Sequence, residues 1–314
     1  MADVEKFMGV SAGDIEKIMG VEAGDIEKVM GVELPAGAVY KVHTFTANGT
    51  FEVTTAGGNV NFLLIAGGGA GREAGSNEGG GGGAGGMLET TGQSVSTQEY
   101  AIVIGAGGSW DGNDSTGFGA TAVGGGHGAS GTASTGDGGS GGGAGSGGSG
   151  AGTGGGGTAG QGNDGGDGAT YPSNRAGGGG GKGSAGQDGQ SDNNLTGRGG
   201  APGASSLRTG SAVYYAGGGG GCSATGAGGY ADAQNRGTLG GGWYYDENGD
   251  FESSGTVGVE NGGTNTGSGG RGASNQHQAE NTGRGDGGSG LCVIRYRSDE
   301  VVATGGTITE YAIT

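Results

Sequence analysis

Glycine supplies 94 of the 314 residues of this chain, and most of it lies between two short apolar segments, Val60 to Ile65 and Leu291 to Arg297. Glycine has no side chain to bury, and it loses more backbone freedom on folding than any other residue. Such a tract stays a flexible linker or finds its order through backbone contacts alone. Collagen is excluded because it needs glycine at every third residue and abundant proline, whereas this chain has 3 prolines and unbroken runs such as Gly79 to Gly83. We expect order, because apolar segments bracket the tract and large aromatic residues are scattered through it.

The charge balance and the cysteine count exclude several classes of protein. The formal net charge is −17, from 14 basic and 31 acidic residues, which disfavours nucleic acid as a partner because that binding depends on neutralising phosphates. No stretch approaches the roughly 18 apolar residues that a membrane helix needs, so no membrane insertion is expected. No basic region followed by an apolar run opens the chain, so no secretory signal is expected. Cys222 and Cys292 allow one disulfide at most and lack the spacing of a zinc or redox site, and we expect free thiols.

Residues 1–34 contain three copies of an eleven-residue repeat of the form Asp-x-Glu-Lys-x-Met-Gly-Val. The Asp can cap the start of a helix and the Gly can end it, which predicts helices of one or two turns. Helices this short need a partner to cover their apolar residues. The repeat is therefore interpreted as an attachment or assembly segment, with a locally packed leader as the alternative. The candidate assembly residues are Ile15, Ile18, Met19, Ile26, Val29 and Met30.

Conventional β-strand sequence flanks the glycine tract. Apolar residues on both sides of Asn48-Gly49 predict a β-hairpin. Further strands are predicted at 60–65, 100–104 and 291–296, where short apolar runs occur. These pieces are expected to pair into one small sheet or β-sandwich that closes the base of the glycine region. The final stretch, Val301 to Thr314, is typical of two strands joined by a Gly305-Gly306 turn, which would dock onto the base or onto a neighbouring subunit.

The glycine tract itself predicts a bundle of polyglycine-II helices. Such helices rise about 3.1 Å per residue and have no internal hydrogen bonds, so their N–H and C=O groups can pair with neighbouring helices. The predicted fold is therefore mainly β and polyglycine-II. It has short N-terminal helical repeats (1–34), a β base (35–66), a polyglycine-II region (67–290, with a strand at 100–104) and C-terminal strands that close the base (291–314). Glycine-poor interruptions are expected to be loops at the ends of the bundle, and an interior Gly→Leu change is expected to destroy it.

Motifs of catalytic or metal chemistry are weak in this chain. Gly177 to Gly181 before Lys182 is similar to a phosphate-binding loop, but Gly183 stands where Ser or Thr is required. Asp164 and Asp167 lie in a Gly-Asp sequence similar to a calcium-binding repeat, whose stacked copies are missing, so solvated turn residues are the alternative reading.

No catalytic set emerges from the remaining polar residues. Arg284-Gly-Asp286 spells an integrin-binding tripeptide that this composition produces by accident. The histidines, His43, His127 and His277, lie far apart in the sequence, and His43 is interpreted as structural. We expect no enzyme activity, no cofactor and no bound metal.

Aromatic residues inside the glycine tract are the remaining candidates for function. Tyr and Trp are preferred anchors of recognition surfaces and also stack on sugar rings. They are interpreted either as small hydrophobic plugs at the ends of the bundle or as contacts to a host surface. The receptor-binding candidates are Trp243, Tyr244, Tyr245, Phe251, Tyr214, Tyr215 and Trp110.

Four segments of the chain resemble the glycine-rich domain family that is common in tail and fibre proteins of tailed bacteriophages. They are Tyr40 to Phe51, Asn61 to Gly69, Gly79 to Gly86 and Gly287 to Tyr296, and the resemblance spans about residues 38 to 297. The N-terminal repeat looks like the short leader repeats of phage virion proteins. In composition and architecture the tract is also similar to the polyglycine-II adhesins at the tips of T-even-like phage tail fibres, whose loops contact the host receptor.

The resemblance implies a non-enzymatic virion protein, assembled in the host cytoplasm and exposed on the particle. The expected role is in the tail fibre or tail tip, engaging a host surface glycan or an outer-membrane protein. The N-terminal repeats would bind other virion proteins, and the resemblance implies a homotrimer. The alternatives are a head decoration or capsid fibre protein that binds no receptor and, third, a bacterial surface or matrix filament.

Overall fold

The computed structural model describes residues 39–72, 78–147, 150–170, 175–189, 197–222, 261–273 and 284–312, together with short strands elsewhere. Within these residues the regular secondary structure is β strand, and no helix occurs. The fold is therefore mainly β, as predicted. It consists of a β-sandwich and a glycine region that extends from one end of that sandwich.

Eight strands form the sandwich. They are β1 (Val39–Phe45), β2 (Gly49–Ala56), β3 (Asn59–Ile65), β4 (Met87–Ser94), β5 (Glu99–Ile102), β6 (Leu291–Arg297), β7 (Val301–Thr304) and β8 (Thr307–Ala312). One sheet has five strands in the order β4-β3-β6-β1-β8, and the other has three in the order β5-β2-β7. All neighbouring strands are antiparallel.

The five-stranded sheet is buried on both faces. Phe62 and Ile294 pack with Phe51 in the core between the two sheets. The opposite face, with Leu63 and Val293, is covered by a hairpin of strands Gly203–Ser205 and Val213–Tyr215. Burial on both faces explains why the sequence from Val60 to Ile65 is almost continuously apolar instead of alternating.

The predicted hairpin at Asn48-Gly49 is wrong, because β1 and β2 lie in different sheets. The chain turns a corner there, and the side-chain oxygen of Asn48 accepts a hydrogen bond of 2.8 Å from the N–H of Ile104. Gly305 and Gly306 form a second corner, with φ values of 107° and 62°, that carries β7 into β8. At the first corner, Phe45 and Phe51 face the same core from opposite layers, a solution that local turn signals do not distinguish from a hairpin. The C-terminal strands dock onto the base, as predicted.

The helix prediction for the N-terminal repeat is not confirmed. Each copy instead contributes one antiparallel pair of two-residue strands: Lys6–Phe7 with Val10–Ser11, Lys17–Ile18 with Val21–Glu22, and Lys28–Val29 with Val32–Glu33. In each copy the paired residues are separated by Met-Gly in the sequence, and glycine favours a tight two-residue reversal.

The other short strands are hairpins within the glycine tract. Their bounds are Ser115–Gly117 with Ala120–Ala122, Ser146–Gly147 with Gly150–Ala151, and Tyr244–Tyr245 with Phe251–Glu252. None of these hairpins, nor strand β4, was predicted. Most of their residues are small or polar, and none of these strands has a run of alternating apolar side chains.

A central segment, residues 79–86, organises the glycine region through backbone hydrogen bonds of three-residue period. N–H groups at 79, 82 and 85 donate to segment 267–273, those at 80, 83 and 86 donate to 123–129, and those at 81 and 84 donate to 177–180. The carbonyls of the central segment accept from three further segments, 66–72, 140–143 and 219–222. Six neighbours thus surround one extended segment, and we call this arrangement the glycine lattice.

Bare backbone is required for this packing. A Cβ atom on Gly80 would overlap the carbonyl oxygen of Gly143, and one on Gly83 would overlap that of Ser140. Because the obstacles are backbone atoms of hydrogen-bonded neighbours, they cannot move aside as a flexible side chain does. At these positions the close approach of neighbouring backbones therefore requires glycine. Alanine fits at other positions of the lattice, such as the buried Ala84.

The lattice has two distinct ends. At the proximal end, Ala66 continues from β3 and Gly86 leads into β4. At the distal end, Gly79 and Gly80 are hydrogen-bonded to Arg72, Ala129, Cys222 and Ala273. Described ranges end at 72, 170, 189, 222 and 273, each at this distal end. Glycine-poor interruptions within the described residues lie at one end or the other.

Candidate functional site

The sandwich and the lattice give the molecule a direction. Strand β1 begins at Val39, which pairs with Ala312 at the end of the sandwich that is remote from the lattice. Its last residue, Phe45, pairs with Cys292 next to the lattice. The N-terminal repeat therefore enters the sandwich at one end of the molecule, and the distal end of the lattice lies at the other.

The aromatic candidates of residues 243–251 follow the distal end of the lattice in the sequence. Their segment leaves the lattice after Cys222, whose N–H donates to the carbonyl of Gly79 at 3.1 Å. Within it, Tyr244–Tyr245 pairs with Phe251–Glu252, which gives a short antiparallel hairpin. Trp243 lies outside the described residues.

Tyr214 and Tyr215 lie at the proximal end, away from Trp110. Both are in the hairpin that covers the five-stranded sheet. The side chain of Tyr215 is 2 % exposed, and burial raises the pKa of its hydroxyl. Tyr215 is thus part of the core and is not presented to a receptor, whereas Tyr214 is 38 % exposed.

Trp110 is an exposed aromatic candidate close to the distal end. Its side chain is 48 % exposed, and the guanidinium carbon of Arg72 lies 4.5 Å from its ring centroid. The ring of His127 lies 4.2 Å away, and Nδ1 of His127 is 2.6 Å from Oδ1 of Asp111. Cation–π contact fixes the indole against the end of segment 66–72, close to the distal end. The partnership of Arg72 and His127 with Trp110 was missed, because nothing in their spacing indicates that the lattice brings them together.

The structure describes only two of the six assembly candidates. Ile18 and Val29 lie in the two-residue strands of the second and third repeats. Ile15, Met19, Ile26 and Met30 lie outside the described residues. Their proposed contacts with other proteins stay a prediction.

The glycine run before Lys182 does not form a phosphate cradle. Backbone N–H groups at positions 177–182 all donate to backbone carbonyls, that of Gly181 to nearby Ser184, and a phosphate would have to displace those bonds. Nζ of Lys182 donates to the carbonyl of Gly160 at 2.6 Å. The structure thus supports the rejection of this motif.

Asp164 and Asp167 accept hydrogen bonds from the backbone. Oδ1 of Asp164 accepts from the N–H of Gly157 at 2.7 Å, and Oδ1 of Asp167 accepts from Gly154 at 2.8 Å. Across the part of the chain that the structure describes, no group of three potential metal-ligating side chains is present. The two carboxylates act on the lattice, and their role is developed below.

Neither cysteine forms a disulfide. Sγ of Cys222 donates to the carbonyl of Gly272 at 2.7 Å, and Cys292 lies in the sandwich core, where burial raises the pKa of its thiol. Both are free thiols, as predicted. Among the described residues no helix is long and apolar enough to cross a bilayer.

His43 is structural, as predicted. It is fully buried, and Nδ1 donates to the carbonyl of Gly305 at 2.6 Å, so that Nε2 accepts from the hydroxyl of Tyr296 at 2.8 Å. The imidazole therefore ties strands β1 and β6 to the second corner of the sandwich. Burial is the main cause that lowers the pKa of His43 below its usual 6.5, and the charge of Lys41 lowers it further.

This lowered pKa makes stability depend on pH. Because the unfolded chain binds a proton near pH 6.5 and the folded chain does not, the contribution of His43 is complete above that pH and is lost as pH falls through the folded pKa. We expect the free energy of unfolding to fall by up to about 1.4 kcal/mol per pH unit in this range. Urea unfolding of the wild type and of His43→Asn at about pH 8 and about pH 5 measures the effect. Equal losses in the two proteins would contradict it.

Comparison with known protein families matches residues 45–297 to a glycine-rich domain. The matched range contains most of the sandwich and all of the lattice. No curated protein and no solved structure matches the chain.

Proposed function

The chain belongs to the glycine-rich domain family, and we propose that it is a structural protein of a tailed-phage virion, located in the tail fibre or tail tip. In this proposal the N-terminal repeats bind other virion proteins and the distal end of the lattice engages the host cell. The protein acts by binding and carries out no catalysis. The observation that carries the proposal is the polarity of the molecule, with the repeat entering at one end and the lattice connections leaving at the other.

The lattice would serve as a rigid platform made of polyglycine-II helices. Two properties support that identification: the hydrogen-bond partners recur every three residues, and one segment has six neighbours. A three-residue turn directs successive N–H groups to three sides, which makes packing in all lateral directions possible. Such a platform holds loops at fixed positions without an apolar interior, and preorganised loops bind more tightly because less freedom is lost.

The chemistry of the distal end favours a host surface glycan or an outer-membrane protein as partner. Trp110 offers an exposed aromatic ring beside the cationic Arg72. The segment with Trp243, Tyr244, Tyr245 and Phe251 follows Cys222, at that end of the lattice, in the sequence and would add further aromatic residues. Aromatic and arginine side chains are the commonest anchors of recognition surfaces. We further propose a homotrimer, the usual state of the fibre proteins that the sequence resembles.

Loss of host binding tests the proposal. We expect purified Trp243→Ala/Tyr244→Ala protein to bind susceptible cells at least about 30-fold more weakly than the wild type, since the loss of even one anchor residue costs about 2 kcal/mol or more. The matched control is Tyr214→Ala, which removes an exposed aromatic ring at the proximal end and is expected to leave binding unchanged. Labelled protein titrated onto cells measures both. Unaltered binding by the double variant would remove this segment from the proposal.

The position of the protein on the particle separates the remaining alternatives. Electron microscopy of virions labelled with an antibody against the chain is expected to mark the tail. Label on the head would instead support a decoration or capsid fibre protein without receptor binding. Label on uninfected bacterial cells would support a surface or matrix filament.

A further inference from the structure

Segment 123–129 shows how the glycine lattice ends. Its backbone is hydrogen-bonded to five other segments: 66–72, 79–86, 106–113, 136–139 and 140–143. On the remaining side, the N–H groups of Gly124 and His127 donate to no backbone carbonyl of the described residues. They donate to carboxylates instead, at 2.7 Å to Oδ1 of Asp114 and 2.9 Å to Oδ1 of Asp111.

The same arrangement recurs on segment 152–157. N–H groups three residues apart, at Gly154 and Gly157, donate to Oδ1 of Asp167 and Asp164 at 2.8 and 2.7 Å. The intervening N–H of Gly156 donates to Oδ1 of Asp137 at 2.6 Å. One segment further along, the N–H of Asp167 donates to Oδ1 of Asp188 at 2.7 Å. All six aspartates are exposed residues.

The neighbouring segment supplies both its backbone and the carboxylates. Gly112 donates its N–H to the carbonyl of Gly125 at 2.8 Å, and the aspartates on either side of it accept from segment 123–129. Gly165 likewise donates to Gly155 at 2.9 Å, between Asp164 and Asp167. The spacing Asp-x-x-Asp equals the three-residue period of the lattice, so each pair satisfies two successive N–H groups that face outward.

We propose that these aspartates are edge caps: their carboxylate oxygens occupy the acceptor positions of a missing lattice segment and so prevent a glycine segment of a second copy from docking there. A row of unpaired N–H groups recruits another chain, as the edges of β-sheets do. Exposed carboxylates also repel the caps of an approaching copy. The caps limit growth in a protein whose backbone surface otherwise favours indefinite lateral association. Part of the acidic net charge would thus come from residues with a structural role. A homotrimer would have to form through surfaces other than these capped edges.

Sedimentation of the full-length protein tests the edge caps. In Asp164→Ala/Asp167→Ala the N–H groups of Gly154 and Gly157 lose their acceptors, and we expect a concentration-dependent shift to species larger than the wild-type assembly. Asp164→Asn/Asp167→Asn keeps an oxygen acceptor at each position and is expected to sediment like the wild type. Glu89→Ala/Glu99→Ala removes two exposed charges from the sandwich and is also expected to leave sedimentation unchanged.

Two results would overturn the proposal. One is a folded Ala variant with the wild-type sedimentation coefficient at every concentration. The other is equal association by the Ala variant and the Glu89→Ala/Glu99→Ala control, since net charge would then explain the effect. If the double Ala variant does not fold, the single variant Asp164→Ala, which leaves one cap in place, is expected to associate more than Asp164→Asn; equal behaviour of these two would contradict the caps.

Discussion

Replacement of Gly81 by alanine is expected to unfold the glycine lattice. Gly81 lies in the middle of the central segment, and a Cβ there would overlap the carbonyl oxygen of Gly219 and lie 2.9 Å from that of Gly220. Its own N–H donates to Gly177, and its carbonyl accepts from Gly143. Making room for one methyl group therefore separates segments on several sides. We expect a loss of at least about 3 kcal/mol in the free energy of unfolding, at the upper end for overpacked sites, and Gly81→Leu should abolish folding.

A glycine on the flank of the lattice provides the matched control. The nearest atom to a Cβ on Gly156, among the described residues, is Oδ1 of Asp137 at 3.5 Å, which is ordinary contact. Gly156→Ala is therefore expected to change the free energy of unfolding by between zero and about 1 kcal/mol of stabilisation, because alanine restricts the unfolded chain. Denaturant unfolding of both variants measures the difference. Similar losses for Gly81→Ala and Gly156→Ala would show that contact distance is not what selects glycine.

The contrast between these two glycines also shows that the sequence does not specify where a glycine lies in the lattice. Both positions read as glycine in a low-complexity run, yet one is central and the other lies on the flank. Segment order in the lattice is set by contacts between residues far apart in the chain, such as Gly82 with Gly270. Local periodicity in the sequence does not specify these pairings, so the arrangement of the lattice could not be predicted.

The sandwich was easier to predict from the sequence, because its strands carry apolar side chains. Segments near Val60 and Leu291 were placed correctly as strands of a base. The connection at Asn48-Gly49 was not, since local turn chemistry does not specify whether the next strand joins the same sheet or the facing one. His43 was interpreted correctly because it alternates with apolar residues along β1.

The candidate site was only partly predictable. Trp110 was identified from its residue type, but its contacts with Arg72 and His127 arise from lattice packing. Tyr215 looked equivalent to Tyr214, although one faces the core and the other does not. Asp164 and Asp167 attracted attention as cation ligands, whereas their three-residue spacing matches backbone N–H groups of the lattice.

Amide hydrogen exchange of residues 79–86 is the most direct test of an ordered glycine lattice. Every N–H of this segment is hydrogen-bonded to a different part of the chain, so exchange requires the lattice to open. We expect these amides to exchange at least about a thousandfold more slowly than those of an unstructured glycine peptide, in keeping with the stability of ordinary domains. Exchange at the rate of the free peptide would show that the backbone in this region is solvated, and the account of a solid platform built without an apolar interior would then be wrong.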